Sequence, residues 1–154
     1  MNYFVVSPNV RNGGKIKSHI DFMCRNHVVC MGCDKDRKNG WHFASTIQTG
    51  DCVIVARRRF WQWTIFFAGI VDGPAKYGDE NGEHYTMCRD IRAFVDLRDS
   101  SIIKFREGMT GYAKRNPGSL FQLHVENAVD ADFIMGIDKL LANAAKKLDA
   151  KEIP

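Results

Sequence analysis

Apolar and polar positions along this chain switch between a period of two and a period near four, and the switches mark its elements. Asn2-Tyr3-Phe4-Val5-Val6 is aromatic and β-branched and stops at Ser7-Pro8-Asn9, which predicts a first strand ending in a turn. After Gly13-Gly14, apolar Ile16, Ile20 and Cys24 recur at spacing four with Met23 beside them. That predicts an amphipathic helix from Lys15 to about Arg25, followed by a strand from Val28 to Met31. The turn Gln48-Thr49-Gly50-Asp51 leads into the apolar run Cys52-Val53-Ile54-Val55-Ala56, a strand, and Thr64 to Val71 is another. Both runs are nearly continuous in apolar residues, as expected of a hairpin covered on both faces. Arg57-Arg58-Arg59-Phe60-Trp61-Gln62-Trp63 is then its connection.

Beyond an acidic loop from Asp72 to Glu83, the stretch Ile91 to Leu97 alternates Ile91, Ala93, Val95 and Leu97 against Arg92, Phe94 and Asp96, which predicts a half-buried strand. Ser119 to Val125 follows the Asn116-Pro117-Gly118 turn and is predicted as a last strand. The chain then turns helical from Asp130 to Leu148, with Ile134, Ile137, Leu141, Ala144 and Leu148 on one face and Lys146 and Lys147 placed to complement the helix dipole. About six short strands, one helix after the first and one at the end predict a single α+β domain over 1–154, a small mixed β-barrel flanked by two or three helices.

Composition narrows the setting. The 154 residues carry five cysteines, an odd number crowded into the first 88 positions, which favours reduced thiols in a cytoplasm over a secreted disulfide framework. No stretch approaches the roughly 18 apolar residues that a bilayer span requires, so the expectation is a soluble, unexported protein without membrane contact. Lysine and arginine number 22 against 18 acidic residues. The excess permits nucleic-acid binding without demanding it, so the position of the charges decides.

The segment Arg57 to Trp63 is the most informative. Arginines neutralise phosphates, and indole faces stack on bases for about 1–3 kcal/mol each, so this mixture suits nucleic-acid capture. Phe60, Trp61 and Trp63 folded back as core, with solvated arginines, is the alternative. Lys104, Arg106, Lys114 and Arg115 form a second basic set, of which Lys104, Lys114 and Arg115 join Arg57, Arg58 and Arg59 as candidate phosphate ligands. Trp41, at the end of a charged loop, suits a pocket wall or a core position.

Other chemistry is sparse. Cys24, His27, Cys30 and Cys33 recur at spacing three, but they run from a helix end through a strand, and small buried thiols account better for Cys24 and Cys30 than a zinc site does. Asp72, Asp79, Glu80, Glu83 and His84 share one loop and offer carboxylates for acid–base or metal work; solvated acids are the ordinary explanation. No Walker, Rossmann or triad signature is present. No cofactor, metal or catalytic residue is expected, and the chain reads as a binding protein rather than an enzyme.

Four segments carry a resemblance: Tyr3 to Asn9, Val28 to Cys33, Ile47 to Arg57, and Phe67-Ala68-Gly69-Ile70-Val71. In order and spacing they resemble EVE and YTH-like domains of the PUA-like superfamily, most of all the N-terminal modules of McrB-type restriction systems. The resemblance implies a reader that flips a modified base, in DNA or in RNA, into an aromatic pocket. It also implies a role as specificity module of a prokaryotic defence system, with a nuclease or AAA+ type effector as partner. Ser7 and Asn9 match the small polar groups that such families place against a base edge, although turn chemistry explains them equally. One position departs: where relatives often carry a tryptophan after the glycine closing the second strand, Cys33 follows Gly32. The pocket walls then fall to Trp41, Trp61 and Trp63 beside Cys33. A PUA-like nuclease or nucleotide hydrolase working through the Asp72 to His84 loop is the competing expectation.

Overall fold

A computed structural model describes residues 1–7, 16–31, 45–59, 62–77, 87–98, 104–105 and 120–152. Among these, the elements run β1 (Tyr3–Val6), α1 (Ile16–Asn26), β2 (Val28–Met31), β3 (Cys52–Arg59), β4 (Gln62–Val71), β5 (Lys76–Tyr77), β6 (Met87–Asp96), β7 (Lys104–Phe105), β8 (Leu120–Leu123) and α2 (Ala128–Glu152). The main path of the sheet is β2-β6-β4-β3-β1-β8, with β5 on β6 and β7 on β4. β1 and β3 pair in parallel and the other pairs are antiparallel, so the sheet is mixed and the architecture is α+β.

The continuous apolar runs of β1 and β3 follow from their place in the middle of the sheet, where both faces are covered. Tyr3, Val5, Cys52, Ile54 and Ala56 face one core, closed by Phe133, Ile134, Ile137 and Leu141 of α2. Phe4, Val6, Val53 and Val55 face a second core, closed by Ile20, Met23 and Cys24 of α1 together with Val29, Ile47 and Met87. Alternating residues of one strand thus serve two cores, and no polar position interrupts the run.

Several sequence expectations change. Arg57, Arg58 and Arg59 belong to β3, and Gln62, Trp63 and Thr64 to β4, rather than to a long connection. Ladder pairing with the facing strand extends both strands past the apolar run, a context that overrides the weak strand preference of arginine. β6 begins at Met87 and bulges. Ala68 pairs with Val95 but Ile70 pairs with Arg92, so one extra residue of β6 enters beside Gly69, and Ala93 adopts φ 50° there. A bulge shifts the side-chain phase by one. Ile91 therefore packs in the α1 core while Ala93, Val95 and Leu97 pack toward α2, instead of all four sharing a face.

The cysteine expectation also changes. Cys30 and Cys88 are directly opposite in the β2–β6 register and form a disulfide, so Cys30 is not a free thiol. Cys24 and Cys52 are free and buried. Among the described residues no helix is long and apolar enough to cross a membrane.

Candidate nucleic-acid interface

β4 is long enough to take two partners along one side. Its second half, from Phe67 to Val71, pairs with β6; its first half, at Trp63 and Thr64, pairs with the two-residue strand β7. On its other side β3 continues in step, with Arg57 opposite Thr64, Arg58 opposite Trp63 and Arg59 opposite Gln62. Two three-strand rows result: Arg57–Thr64–Lys104 and Arg58–Trp63–Phe105. With strands roughly 4.8 Å apart, the backbones of Arg57 and Lys104 stand about 10 Å from each other. The side chain of Arg57 is exposed, whereas Ala56 one residue earlier is fully buried. The sheet thus leaves its core between these two residues.

Ser7 lies at the same end. β1 runs parallel to β3 with Val6 opposite Val55, so partly buried Ser7 leaves the sheet beside the residues that lead into the arginine run. Leu120, where β8 begins, faces Val6 from the other side. One end of the sheet therefore gathers Ser7, Arg57, Arg58, Arg59, Trp63 and Lys104, which the sequence distributes over about a hundred positions. Asn9, Cys33, Trp41, Trp61, Lys114 and Arg115 lie outside the described residues, as does Arg106.

The opposite end is a clamp. Gly50 adopts φ 97°, which an L side chain rarely tolerates, and turns the chain so that the Asp51 carboxylate points back under β1. Asp51 Oδ1 accepts the Asn2 amide at 3.0 Å and Oδ2 accepts the Gln48 amide at 2.9 Å. The Cys52 amide donates to the Asn2 carbonyl at 2.9 Å and the Val71 amide to the Asp51 carbonyl at 2.9 Å, so three strand ends meet at this turn. Arg89, buried in β6, donates through Nε and Nη2 to the Gly73 carbonyl at 3.1 and 2.9 Å and through Nη1 to the Ile47 carbonyl. The sequence reading found the Gly-Asp turn but not Arg89, because a buried arginine has no local pattern and the Ile47 and Gly73 carbonyls that converge on it come from distant turns.

The remaining chemistry is structural. Tyr3 Oη donates to the Asp138 carboxylate at 2.9 Å, joining β1 to α2; burial and then the bond to Asp138 hold its phenol well above the ordinary tyrosine range. Burial also pushes the Cys24 thiol up to about 11 and the Cys52 thiol up to about 12, leaving both protonated and unreactive at neutral pH. His27, at φ 51° after the last turn of α1, stacks on Phe94 with ring centroids 4.3 Å apart. Cys30 is thus bridged to Cys88 and His27 stacks on Phe94, so two of the four residues at spacing three have other partners, and Cys33 lies outside the described residues. Among the described residues no group of three or more histidine, cysteine or acidic side chains could hold a metal. Asp72 is exposed, 3.9 Å from Arg92 Nε; Asp79, Glu80, Glu83 and His84 lie outside the described residues.

No family model matches the sequence, and no curated protein does. Among solved structures, the chain is similar to the human THYN1 protein, crystallised in complex with 5-methylcytosine containing DNA. The TM-score is 0.47 at 10% identity, covering 89% of this chain and 97% of that one. A likeness this distant carries neither ligand nor activity across. The functional reading has to stand on this chain's own residues.

Proposed function

We propose that this protein is a PUA-like, EVE/YTH-like reader that binds nucleic acid at the arginine-rich end of its sheet and takes a flipped, modified base into an aromatic pocket. The observation that carries the reading is the pair of adjoining rows Arg57–Thr64–Lys104 and Arg58–Trp63–Phe105, which brings basic and aromatic residues of three strands to one end of the sheet, with Arg58 directly opposite Trp63. Cations in such a row neutralise phosphates, and a neighbouring aromatic offers a stacking surface, which together offset the few kcal/mol that unstacking a base costs. The segments that resemble EVE and YTH-like domains supply the pocket assignment, with Ser7, Asn9, Cys33, Trp41, Trp61 and Trp63 as its candidate lining. DNA with a methylated or otherwise modified cytosine or adenine is the favoured ligand, and the setting is a cytoplasmic defence or restriction system in which an effector subunit acts on what this domain reads. The protein itself binds without catalysis.

The test is a titration followed by tryptophan fluorescence, using matched single- and double-stranded oligonucleotides, DNA and RNA, with and without methylated or hydroxymethylated bases. A preference for one modified base, lost in Trp61→Ala or Trp63→Ala, is expected. Equal affinity for all probes, with both variants silent, refutes the reader; preference for RNA moves it to the YTH-like alternative. Release of cleaved product, abolished in Glu83→Ala and His84→Ala, would make the protein an enzyme instead.

A further inference from the structure

We propose that the Cys30–Cys88 bridge is a reversible redox latch that fastens the edge strand β2 to the sheet. β2 is four residues long, and among the described residues β6 is its one strand partner. At the bridge the two Cα atoms are 4.1 Å apart, the spacing of a non-hydrogen-bonded antiparallel pair, in which the backbone groups of both residues point away from each other. The Cys30 amide accordingly turns outward and donates to Met23 Sδ of α1 at 3.2 Å, a soft and weak acceptor. In this row the sulfur bridge is therefore the cross-strand link, and the edge of β2 is backed by a thioether rather than by another strand.

The bridge is buried, with Cys30 1% and Cys88 2% exposed, so a reductant reaches it when the short edge strand opens. A dithiol reductant then attacks one sulfur as thiolate, forming a mixed disulfide and expelling the other cysteine, which takes up a proton. The reductant's second thiol closes on the first and frees the remaining cysteine. The protein gains two electrons and two protons, and the dithiol leaves as a cyclic disulfide. Cys24 and Cys52 stay out of the exchange, because burial keeps both protonated. Reduction then leaves β2 held by its flanking rows and by the packing of Val29 against Met23 and Met87.

The inference concerns the fold and is independent of the nucleic-acid reading, so its experiment uses no oligonucleotide. The full chain is equilibrated with oxidised and with reduced glutathione or dithiothreitol, its thiols are counted after denaturation, and amide exchange is followed. Since Cys30 and Cys88 are bridged, the oxidised protein is expected to show two thiols fewer than the five of the reduced one. Reduction should speed exchange at Val29 to Met31 about a hundredfold, from the usual worth of a disulfide, with Val53 to Val55 little changed and the effect reversed by reoxidation. Cys30→Ser with Cys88→Ser should match the reduced protein and ignore the reductant. Five thiols under oxidising conditions, equal exchange in both states, or a reductant response that persists in the variant overturns the latch. Since reduced wild type needs no substitution, a variant that fails to fold leaves the test intact.

Discussion

Replacing Asp51 with alanine tests whether the Gly50-Asp51 turn is a fold clamp rather than part of a binding site. The carboxylate is buried and accepts two amides, from Asn2 at 3.0 Å and Gln48 at 2.9 Å. Hydrogen bonds to a charged acceptor contribute about 1.5–3 kcal/mol each, and both donors lose their partner at once. Asn2 and Gln48 are both exposed, so water can in part satisfy either amide after the change. Discounting both bonds for that hydration gives a loss of about 2 kcal/mol, a sizeable share of the ~5–15 kcal/mol that holds a domain of this size together. Urea unfolding of wild type and Asp51→Ala measures it as a shift in midpoint at unchanged slope. Asp51→Asn keeps one acceptor and should fall between the two. A loss below about 1 kcal/mol, or full stability with impaired oligonucleotide binding, would refute the clamp, since a surface substitution typically costs no more than about half that.

Two further substitutions test the sheet and its electrostatics. Gly69 faces the β6 bulge, and a Cβ there would come within 3.1 Å of the Arg92 carbonyl and 3.3 Å of Ile91. Gly69→Ala should therefore destabilise by about 1 kcal/mol net, after the gain from a stiffer unfolded chain, and a neutral or stabilised variant in thermal melts would contradict the bulge. Arg98 grips Asp96 at 2.7 Å and reaches Asp21 of α1 at 2.6 Å, and its hydrogen bonds hold the Asp96 carboxyl below its ordinary value of 3.8. A depressed folded value means that the contribution is full above the unfolded value and disappears as pH falls through the folded one. The stability difference between wild type and Asp96→Asn should thus be constant near neutrality and close below the ordinary value. A gap that widens in acid reverses the sign and defeats the assignment. The pair is partly exposed, so the difference should also shrink in high salt.

Elements whose pattern is local were legible in the sequence; those set by another strand were not. α1 was expected from Lys15 to Arg25 and spans Ile16–Asn26, because the spacing of Ile20, Met23 and Cys24 reflects one buried stripe. β1 and the start of β3 were equally plain, since burial on both faces leaves no polar interruption. The β6 bulge was invisible: Ile91, Ala93, Val95 and Leu97 alternate perfectly, and the extra residue that breaks their phase lies beside Gly69 of the neighbouring strand, where a Cβ would come within 3.1 Å of the Arg92 carbonyl. The Cys30–Cys88 pair was missed for the same reason, as 58 residues separate two cysteines that only the β2–β6 register sets opposite each other. Lys104 was legible only as one member of a basic set, because no two-residue strand carries a periodicity that could have paired it with β4.

Polar chemistry divides between the two ends of the sheet. At the clamp end Asp51 and Arg89 are buried and committed to backbone partners in distant turns. At the other end the core stops at Ala56 and Arg57 is exposed on the same strand, so that the charge a ligand would meet projects from a backbone already held by its ladder and by both cores. Binding residues on a strand anchored in this way lose less freedom on meeting a ligand than the same residues on a free loop, because the backbone has already been ordered by folding. For the proposed reader, the placement of Arg57, Arg58, Arg59 and Trp63 on strands rather than in a loop would therefore bear on affinity as well as on topology. Arg57 and Lys104, held in one row across β4, would meet a phosphate backbone already spaced, whereas a free loop would have to be ordered at the moment of binding.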